Sequence, residues 1–156
     1  MKKIHNGWTH KPGYNCFGCC PTNDHGLRMD FFEDGSDVVS VWQPQSYFQG
    51  WIDTLHGGIQ ATLCDEIASW VIFRQLHPTG VTAKLEVRYR KSISTLDHHL
   101  TLRARIKEQR RNIVDIEVEL RNAANELCTT ALATYFTVSP EKAAADGFGD
   151  FCLEEQ

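Results

Sequence analysis

The fold of this chain is decided by one stretch, LHGGIQATLCDEIASWVIF, which occupies residues 55–73. Its apolar residues recur at helical spacing on one broad stripe, and a second stripe carries mostly small residues. The pattern predicts one long helix from Gly57 to Leu76, ended by the Pro and Gly residues of 77–80. Because both stripes are apolar, we expect this helix to be covered on more than one side.

Chemically useful groups lie at two points of this helix. Gly57 and Gly58 mark its entry, where backbone N–H groups have no partner inside the helix and favour negative charge. Two turns later, Asp65 and Glu66 stand side by side in the apolar run. Successive helical residues are turned by about 100°, so the two carboxylates cannot aim at the same atom. We expect one acid to be functional and the other to be solvated or paired.

Composition excludes several classes of protein. The 156 residues favour one domain, and a net charge of −4 offers no platform for nucleic acid. No run approaches the roughly 18 apolar residues of a membrane span. Because no apolar segment follows Met1, we expect no signal peptide, a cytoplasmic location and reduced thiols for the six cysteines.

The rest of the chain predicts strands. Residues 27–43 read as a hairpin with a turn at 34–36, and alternating segments follow the helix. Those segments are 81–91, 99–108, 113–121 and 127–138. The prediction is an α+β protein: an N-terminal arm (1–26), a domain (27–139) with six antiparallel strands around the helix, and a mobile tail (140–156) that begins with one helical turn.

The middle hairpin also predicts its own register. If Arg103 faces Glu119, then Arg105 faces Glu117 and Lys107 faces Asp115, while apolar residues meet on the other face. The apolar pairs are Leu102 with Leu120, Ala104 with Val118 and Ile106 with Ile116. This register puts the bend at residues 110–112.

The arm contains the sequence Cys16-Phe17-Gly18-Cys19, which is half of a zinc-type spacing. Nearby histidines could complete such a site, but no second Cys-x-x-Cys and no His-x3-His pair follows. We therefore interpret the arm as a tight packed turn and expect no metal and no cofactor. Whether Cys16, Cys19 and Cys20 bind a metal stays open at this point.

Four motifs carry a resemblance to a known family. They are the Cys16–Cys19 segment leading to Asn23-x-x-Gly26-Leu27, the loop 48–51, His56-Gly57-Gly58-Ile59 with Asp65-Glu66 after it, and Thr82-x-x-Leu85-x-Val87-x-Tyr89-x-Lys91. Together they resemble the hotdog-fold acyl-CoA thioesterases of the PaaI-like group. The resemblance implies a homodimer or homotetramer with its active site between subunits.

The resemblance also assigns roles to residues. It implies that Asp65 is the general base or nucleophile and that the N–H of Gly57 or Gly58 stabilises the oxyanion. Thr82, from the partner subunit, is expected to help position water or the carboxylate. His56 matches the family motif; the alternative is that it only braces the turn at the start of the helix. Gly50 stands at one position where an Asn or Gln can assist in relatives, and Gln49 lies beside it; the resemblance therefore leaves the polar assistant unassigned.

Substrate-binding residues are predicted more loosely. They are Gln49, Trp51, Glu66, Arg88, Arg90 and Lys91, the last three for coenzyme A. Two alternatives remain open: an acyl-thioester dehydratase, although no Asp-x4-His arrangement follows Asp65, and a non-catalytic acyl-CoA-binding or regulatory protein. The residues do not fix the acyl group.

Overall fold

The computed structural model describes residues 1–76 and 80–146, and the backbone of residues 152–153. The helical segments are a 3₁₀ turn (Ser46–Phe48), α1 (Gly57–Val71) continued by a π-helical turn (Ile72–Leu76), and α2 (Pro140–Ala145). The strands are β1 (Lys2–His5), β2 (Phe32–Asp34), β3 (Asp37–Trp42), β4 (Gly80–Tyr89), β5 (Leu100–Arg110), β6 (Ile113–Arg121), β7 (Leu127–Thr137) and β8 (Cys152–Leu153). Residues 77–79 of the predicted helix stop lie outside the described residues, as do residues 147–151 and 154–156 of the predicted mobile tail.

All described strands belong to one antiparallel sheet in the order β4-β7-β6-β5-β3-β2-β1-β8, and α1 packs on one face of it. The predicted α+β class and the long central helix are confirmed. The predicted number of six strands is wrong, because β1 and β8 extend the sheet beyond β2. Both are too short for alternation to appear in their sequences.

The first predicted strand is shorter than expected. Residues 27–31 carry buried side chains at alternate positions, yet Arg28 has φ +52, which interrupts an extended strand. The N–H groups of Leu27 and Met29 donate to the carbonyls of Phe17 and Gly18 instead of to β3. This segment therefore fastens the N-terminal arm, and only Phe32–Asp34 pairs as β2.

The predicted register of the β5–β6 hairpin is confirmed from Leu102–Leu120 to Ile106–Ile116. The predicted pair of Lys107 with Asp115 is wrong, because a β-bulge follows Ile106 and Glu108 faces Asp115. The bend lies where it was predicted, with Arg111 at φ +55.

The core lies between α1 and the sheet. Leu63 and Ile67 from one helical stripe are fully buried, as are Cys64 and Ala68 from the other. The sheet side of this core consists mainly of Leu100, Leu102, Ala104, Ile116, Val118, Leu120 and Ala133. Trp70 of α1 stacks on Phe31 just before β2, with ring centroids 4.8 Å apart. Glu66, on another face of α1, contacts Cys16, so the helix packs against both the sheet and the N-terminal arm. Among the described residues, no helix is both long enough and apolar enough to span a membrane.

Candidate active site

Asp65 is held by two hydroxyl groups from neighbouring strands. Thr82 Oγ1 on β4 donates to Asp65 Oδ1 at 2.9 Å, and Tyr135 OH on β7 is 2.9 Å from the same oxygen. The Tyr135 hydroxyl is also 2.8 Å from the backbone carbonyl of Asp65. Thr82 and Tyr135 are paired in the sheet, which is why both reach one point on α1.

These contacts fix the orientation of the carboxylate. Burial, followed by the charge of Asp65, raises the pKa of Tyr135, so its hydroxyl remains a donor at neutral pH. Within the part of the chain that the structure describes, Asp65 Oδ2 accepts no hydrogen bond, and the Asp65–Thr82 contact is exposed. The free oxygen of an oriented carboxylate can accept a proton from water or attack a carbonyl carbon.

The backbone N–H groups of Gly57 and Gly58, at the start of α1, have different hydrogen-bond partners. His56 is the N-cap residue, and its Nδ1 accepts the N–H of Gly58 at 2.8 Å. The N–H of Gly57, by contrast, has no acceptor among residues 1–76 and 80–146. Of the two predicted oxyanion donors, Gly57 is therefore the one that is free to receive a ligand oxygen, and His56 acts here as a cap.

Tyr89 completes this entry. Its hydroxyl donates to the carbonyl of Gly57 at 2.7 Å. A Cβ atom built on Gly57 would lie 3.3 Å from the Tyr89 ring, so this ring packs directly against the glycine.

Asp65 and Gly57 of one chain cannot act on the same carbonyl. Eight residues at about 1.5 Å rise each place them about 12 Å apart along α1, whereas a reacting carbon must lie about 3 Å from its nucleophile. Thr82, which was expected to come from a partner subunit, contacts Asp65 of its own chain. β4, which carries Thr82, runs beside α1 in the same protomer, and a contribution of Thr82 across a subunit interface stays a prediction.

In the loop before α1, Gln49 and Trp51 were predicted to bind substrate. Gln49 Oε1 accepts the N–H of Asp53 at 3.0 Å, so this side chain braces the loop. Trp51 is 83% exposed and Ile52 is 85% exposed, which presents an apolar tip beside the entry of α1. Phe48 and Trp70, in contrast, are core residues.

The basic residues predicted for coenzyme A do not lie beside Asp65. Arg88 and Arg90 line a cavity with Arg103 and Arg105 on the sheet face opposite to α1. Lys91 forms an ion pair with Glu126.

Glu66 is also turned away from Asp65. Its Oε1 accepts the indole N–H of Trp70 at 3.2 Å and lies 3.6 Å from Cys16 Sγ in the arm. Burial raises the pKa of Glu66 to about 7, and the hydrogen bond from Cys19 lowers the pKa of Cys16 to about 5. The predicted contact of Glu66 with substrate has no support in this position.

Sequence reasoning missed Tyr135. Alternation along β7 puts Ala131, Ala133 and Tyr135 on the face towards α1. A tyrosine that follows two alanines on this face could have indicated a hydroxyl group that reaches the helix. Its partner Thr82 was recognised only through the resemblance.

The comparisons with known proteins agree with this fold. The thioesterase superfamily profile matches residues 53–129, which span the entry of α1, Asp65, Thr82 and β4 to β6. The search of curated proteins found no match.

Three solved structures illustrate the similarity. A thioesterase superfamily protein has a TM-score of 0.71 and 20% sequence identity to this chain. The match covers 78% of this chain and 62% of that protein. A hypothetical thioesterase from Streptococcus pneumoniae, solved with coenzyme A, has a TM-score of 0.66 at 24% identity, covering 71% of this chain and 86% of that one. A putative thioesterase from Ralstonia eutropha, described as phenylacetic acid degradation-related, has a TM-score of 0.64 at 20% identity, covering 72% and 86%.

The profile match agrees with the family predicted from the sequence, and the solved structures confirm the predicted fold. A thioesterase superfamily model thus matches residues 53–129 of this chain, on a fold that the chain shares with solved thioesterase structures.

Proposed function

We propose that this protein hydrolyses an acyl-CoA thioester in a site shared by two copies of the chain. One copy supplies Asp65 with Thr82 and Tyr135, and the other supplies the N–H of Gly57. The observation that carries the proposal is the separation of two complementary groups on one helix: an oriented carboxylate and a free backbone donor. Among residues 1–76 and 80–146 of its own chain, each lacks beside it the complementary group that thioester hydrolysis needs.

The chemistry follows from these two groups. Negative charge develops on the thioester oxygen in the transition state, and a preorganised N–H donor stabilises it there. Asp65 either removes a proton from the attacking water or attacks the carbonyl carbon to form an anhydride that water then opens. In both routes the C–S bond breaks, the thiolate leaves and takes up a proton, and the products are the free acid and the thiol.

The edge of the sheet supports a second copy. β4 pairs with β7 on one side and has no partner on the other among the described residues. Along this strand Val81 is 67% exposed and Tyr89 is 53% exposed, beside Thr82. An exposed apolar edge strand is a natural pairing surface, and an isologous pair would bring the helix of each copy towards the other. Dimer or tetramer, and a cytoplasmic location, stay predictions.

Coenzyme A as the thiol is supported by the pneumococcal neighbour, whose crystals contain coenzyme A. Two further structures of that protein carry single alanine substitutions, one of an aspartate and one of a threonine. The pair that touches here, Asp65 and Thr82, has the same residue types. The exposed tip at Trp51 and Ile52 is our candidate for contact with the acyl group.

A mixed dimer tests the shared site. Asp65→Asn removes the carboxylate, and Gly57→Pro removes one N–H at a helix position that accepts proline. The two variants are co-expressed with different tags and purified through both. If the site is shared, each mixed dimer keeps one intact site and has about half of the wild-type activity towards a panel of aliphatic and aryl acyl-CoA thioesters.

The homodimers of each variant, assayed in parallel, are the controls and should be nearly inactive. A mixed dimer as inactive as its parents, with wild type active, would place the whole site within one chain. Wild type that cleaves no thioester on the panel would favour the non-catalytic binding alternative.

A further inference from the structure

A second cluster of reactive groups lies on the other side of α1. Cys16 and Cys19 of the arm face Glu66, and one potential ligand atom from each residue lies within 4.8 Å of the other two. Within residues 1–76 and 80–146, these three form the only group of three or more His, Cys, Asp or Glu residues close enough to hold a metal ion. The proposed hydrolysis uses none of them.

The spacing of these atoms fits one particular geometry. A tetrahedral zinc ion with normal bond lengths separates two sulfur ligands by about 3.8 Å and a sulfur from an oxygen ligand by about 3.5 Å. In this structure Cys16 Sγ and Cys19 Sγ are 3.5 Å apart, and Cys16 Sγ is 3.6 Å from Glu66 Oε1. These two distances are within about 0.3 Å of the tetrahedral values, and the third, from Cys19 Sγ to the Glu66 carboxylate, is no longer than 4.8 Å.

The loop between the two cysteines is shaped around the carboxylate. A Cβ atom on Gly18 would lie 2.4 Å from both Cδ and Oε2 of Glu66. Glycine is therefore the one residue that lets this Cys-x-x-Cys turn close on Glu66 without displacing it. Among the described residues, no Lys, Arg or His forms an ion pair with this half-buried carboxylate, so a cation is the partner that it lacks.

Neighbouring groups orient the three side chains. Tyr14 OH is 3.0 Å from Cys19 Sγ, Asn6 Nδ2 is 3.8 Å from the same sulfur, and Trp70 Nε1 donates to Glu66 Oε1. Hydrogen bonds of this kind commonly fix the ligands of metal sites. The three residues also line one side of an open cavity of about 200 Å³, together with the aromatic rings of Trp8, Tyr14, Trp70 and Phe73.

We propose that Cys16, Cys19 and Glu66 bind one zinc ion, with the fourth coordination position open to this cavity for water or a small ligand. Two thiolates select a borderline-soft metal over magnesium or calcium, which prefer oxygen ligands. The ion joins the N-terminal arm to α1 at the residue next to Asp65. The sequence contained only half of this site, and the fold supplies the third ligand from a residue 47 positions beyond Cys19.

Metal content tests the proposal directly. Tag-free, full-length protein is reduced, equilibrated with zinc, dialysed against metal-free buffer and analysed by elemental mass spectrometry. Wild type should retain one zinc per chain, and Cys16→Ser and Cys19→Ser should retain less than about a tenth of that. Cys20→Ser is the matched control: Cys20 is buried beside Cys19, but its thiol contacts Tyr14 O and Thr22 Oγ1 rather than the cluster.

Two further measurements distinguish a real site from thiols that merely bind metal. Cobalt(II) should give the visible absorption of a tetrahedral, thiolate-bound ion in wild type and in Cys20→Ser. Glu66→Gln and Gly18→Ala, which keep both thiols, should each weaken zinc binding at least about tenfold in a competition titration with a chelator. Circular dichroism verifies that each variant is folded.

The proposal is overturned if reduced wild type retains no zinc, because that result does not depend on any variant folding. It is also overturned if Cys20→Ser loses zinc as fully as Cys19→Ser does, or if Glu66→Gln binds zinc as tightly as wild type.

Discussion

Asp65 and Glu66 are neighbours in sequence and identical in charge, yet the two sides of α1 give them different surroundings. On the sheet side, Asp65 receives two hydroxyl donors through one oxygen. On the arm side, Glu66 meets two thiols and the indole of Trp70. The first carboxylate is oriented with an oxygen left for substrate, and the second is enclosed with ligands suited to a metal.

The comparison teaches that the helix alone assigns neither role. About 100° of rotation separates the two side chains, and the elements packed on each side decide what each acid does. For Asp65 these are β4 and β7, and for Glu66 it is a segment near the N-terminus without regular secondary structure.

The largest effect should come from exchanging the two acids for their amides. Asp65→Asn removes the base or nucleophile and should lower kcat by about 10²–10⁴-fold. Glu66→Gln alters the other side of α1 and should lower kcat by less than about tenfold. Thiol release from the best acyl-CoA substrate measures both, and equal losses in the two variants would remove the functional difference between the two sides.

A second prediction concerns the group that Asp65 needs from the partner copy. Gly57→Pro deletes one N–H and should lower kcat by about 10²–10³-fold, the usual cost of losing an oxyanion donor. His56 already has φ −59° and ψ 133°, a conformation that a following proline favours.

Gly57→Ala is the matched control for this substitution. It places the same Cβ against Tyr89 but keeps the N–H, so it should retain at least about a tenth of the wild-type kcat. If alanine and proline reduce kcat equally, crowding of Tyr89 explains the loss and Gly57 is no oxyanion donor.

A third, smaller effect tests whether the hydroxyls orient Asp65. Tyr135→Phe removes a hydrogen bond to a charged group, worth about 1.5 kcal/mol, and should lower kcat about tenfold while KM changes little. Thr82→Val removes the other donor with similar volume and should act in the same direction.

A double variant tests whether Tyr135 acts by positioning Asp65 or only by supporting the structure: Tyr135→Phe is made in protein that already carries Asp65→Asn. There, Tyr135→Phe should cause little further loss of activity, because the group that it positions is already gone. A full additional tenfold loss would mean that Tyr135 acts independently of Asp65.

Much of the sheet could be predicted because its alternation is local. The β5–β6 register was predictable from charges that face each other on one surface and apolar residues on the other, as in Arg103 with Glu119. The bulge after Ile106 could not be predicted. One extra residue shifts the register but leaves the alternation of polar and apolar residues unchanged on either side of it. β1 and β8 are too short to carry a period at all.

The site could be predicted only in part for a related reason. Asp65 and Gly57 were identifiable from one stretch of helix, and the resemblance pointed to Thr82. Tyr135 lies 70 positions from Asp65, and its role depends on a strand pairing that no local pattern reveals. The Cys16–Cys19 turn looked incomplete for the same reason, since Glu66 reaches it only through the packing of the arm on α1.

The smallest predicted effect is on stability and belongs to the arm side alone. In metal-free protein, Gly18→Ala forces a methyl group against the Glu66 carboxylate, and overpacking of this kind costs about 1–3 kcal/mol. In a Glu66→Ala background the space is vacated, so the same substitution should cost less than about 0.5 kcal/mol. Chemical denaturation in the presence of a chelator measures the free energy of unfolding of wild type, the two single variants and the double variant, which together complete a double-mutant cycle. Equal costs in both backgrounds would mean that the Cys16–Cys19 turn does not close on Glu66, and the contrast between the two sides of α1 would then rest on Asp65 alone.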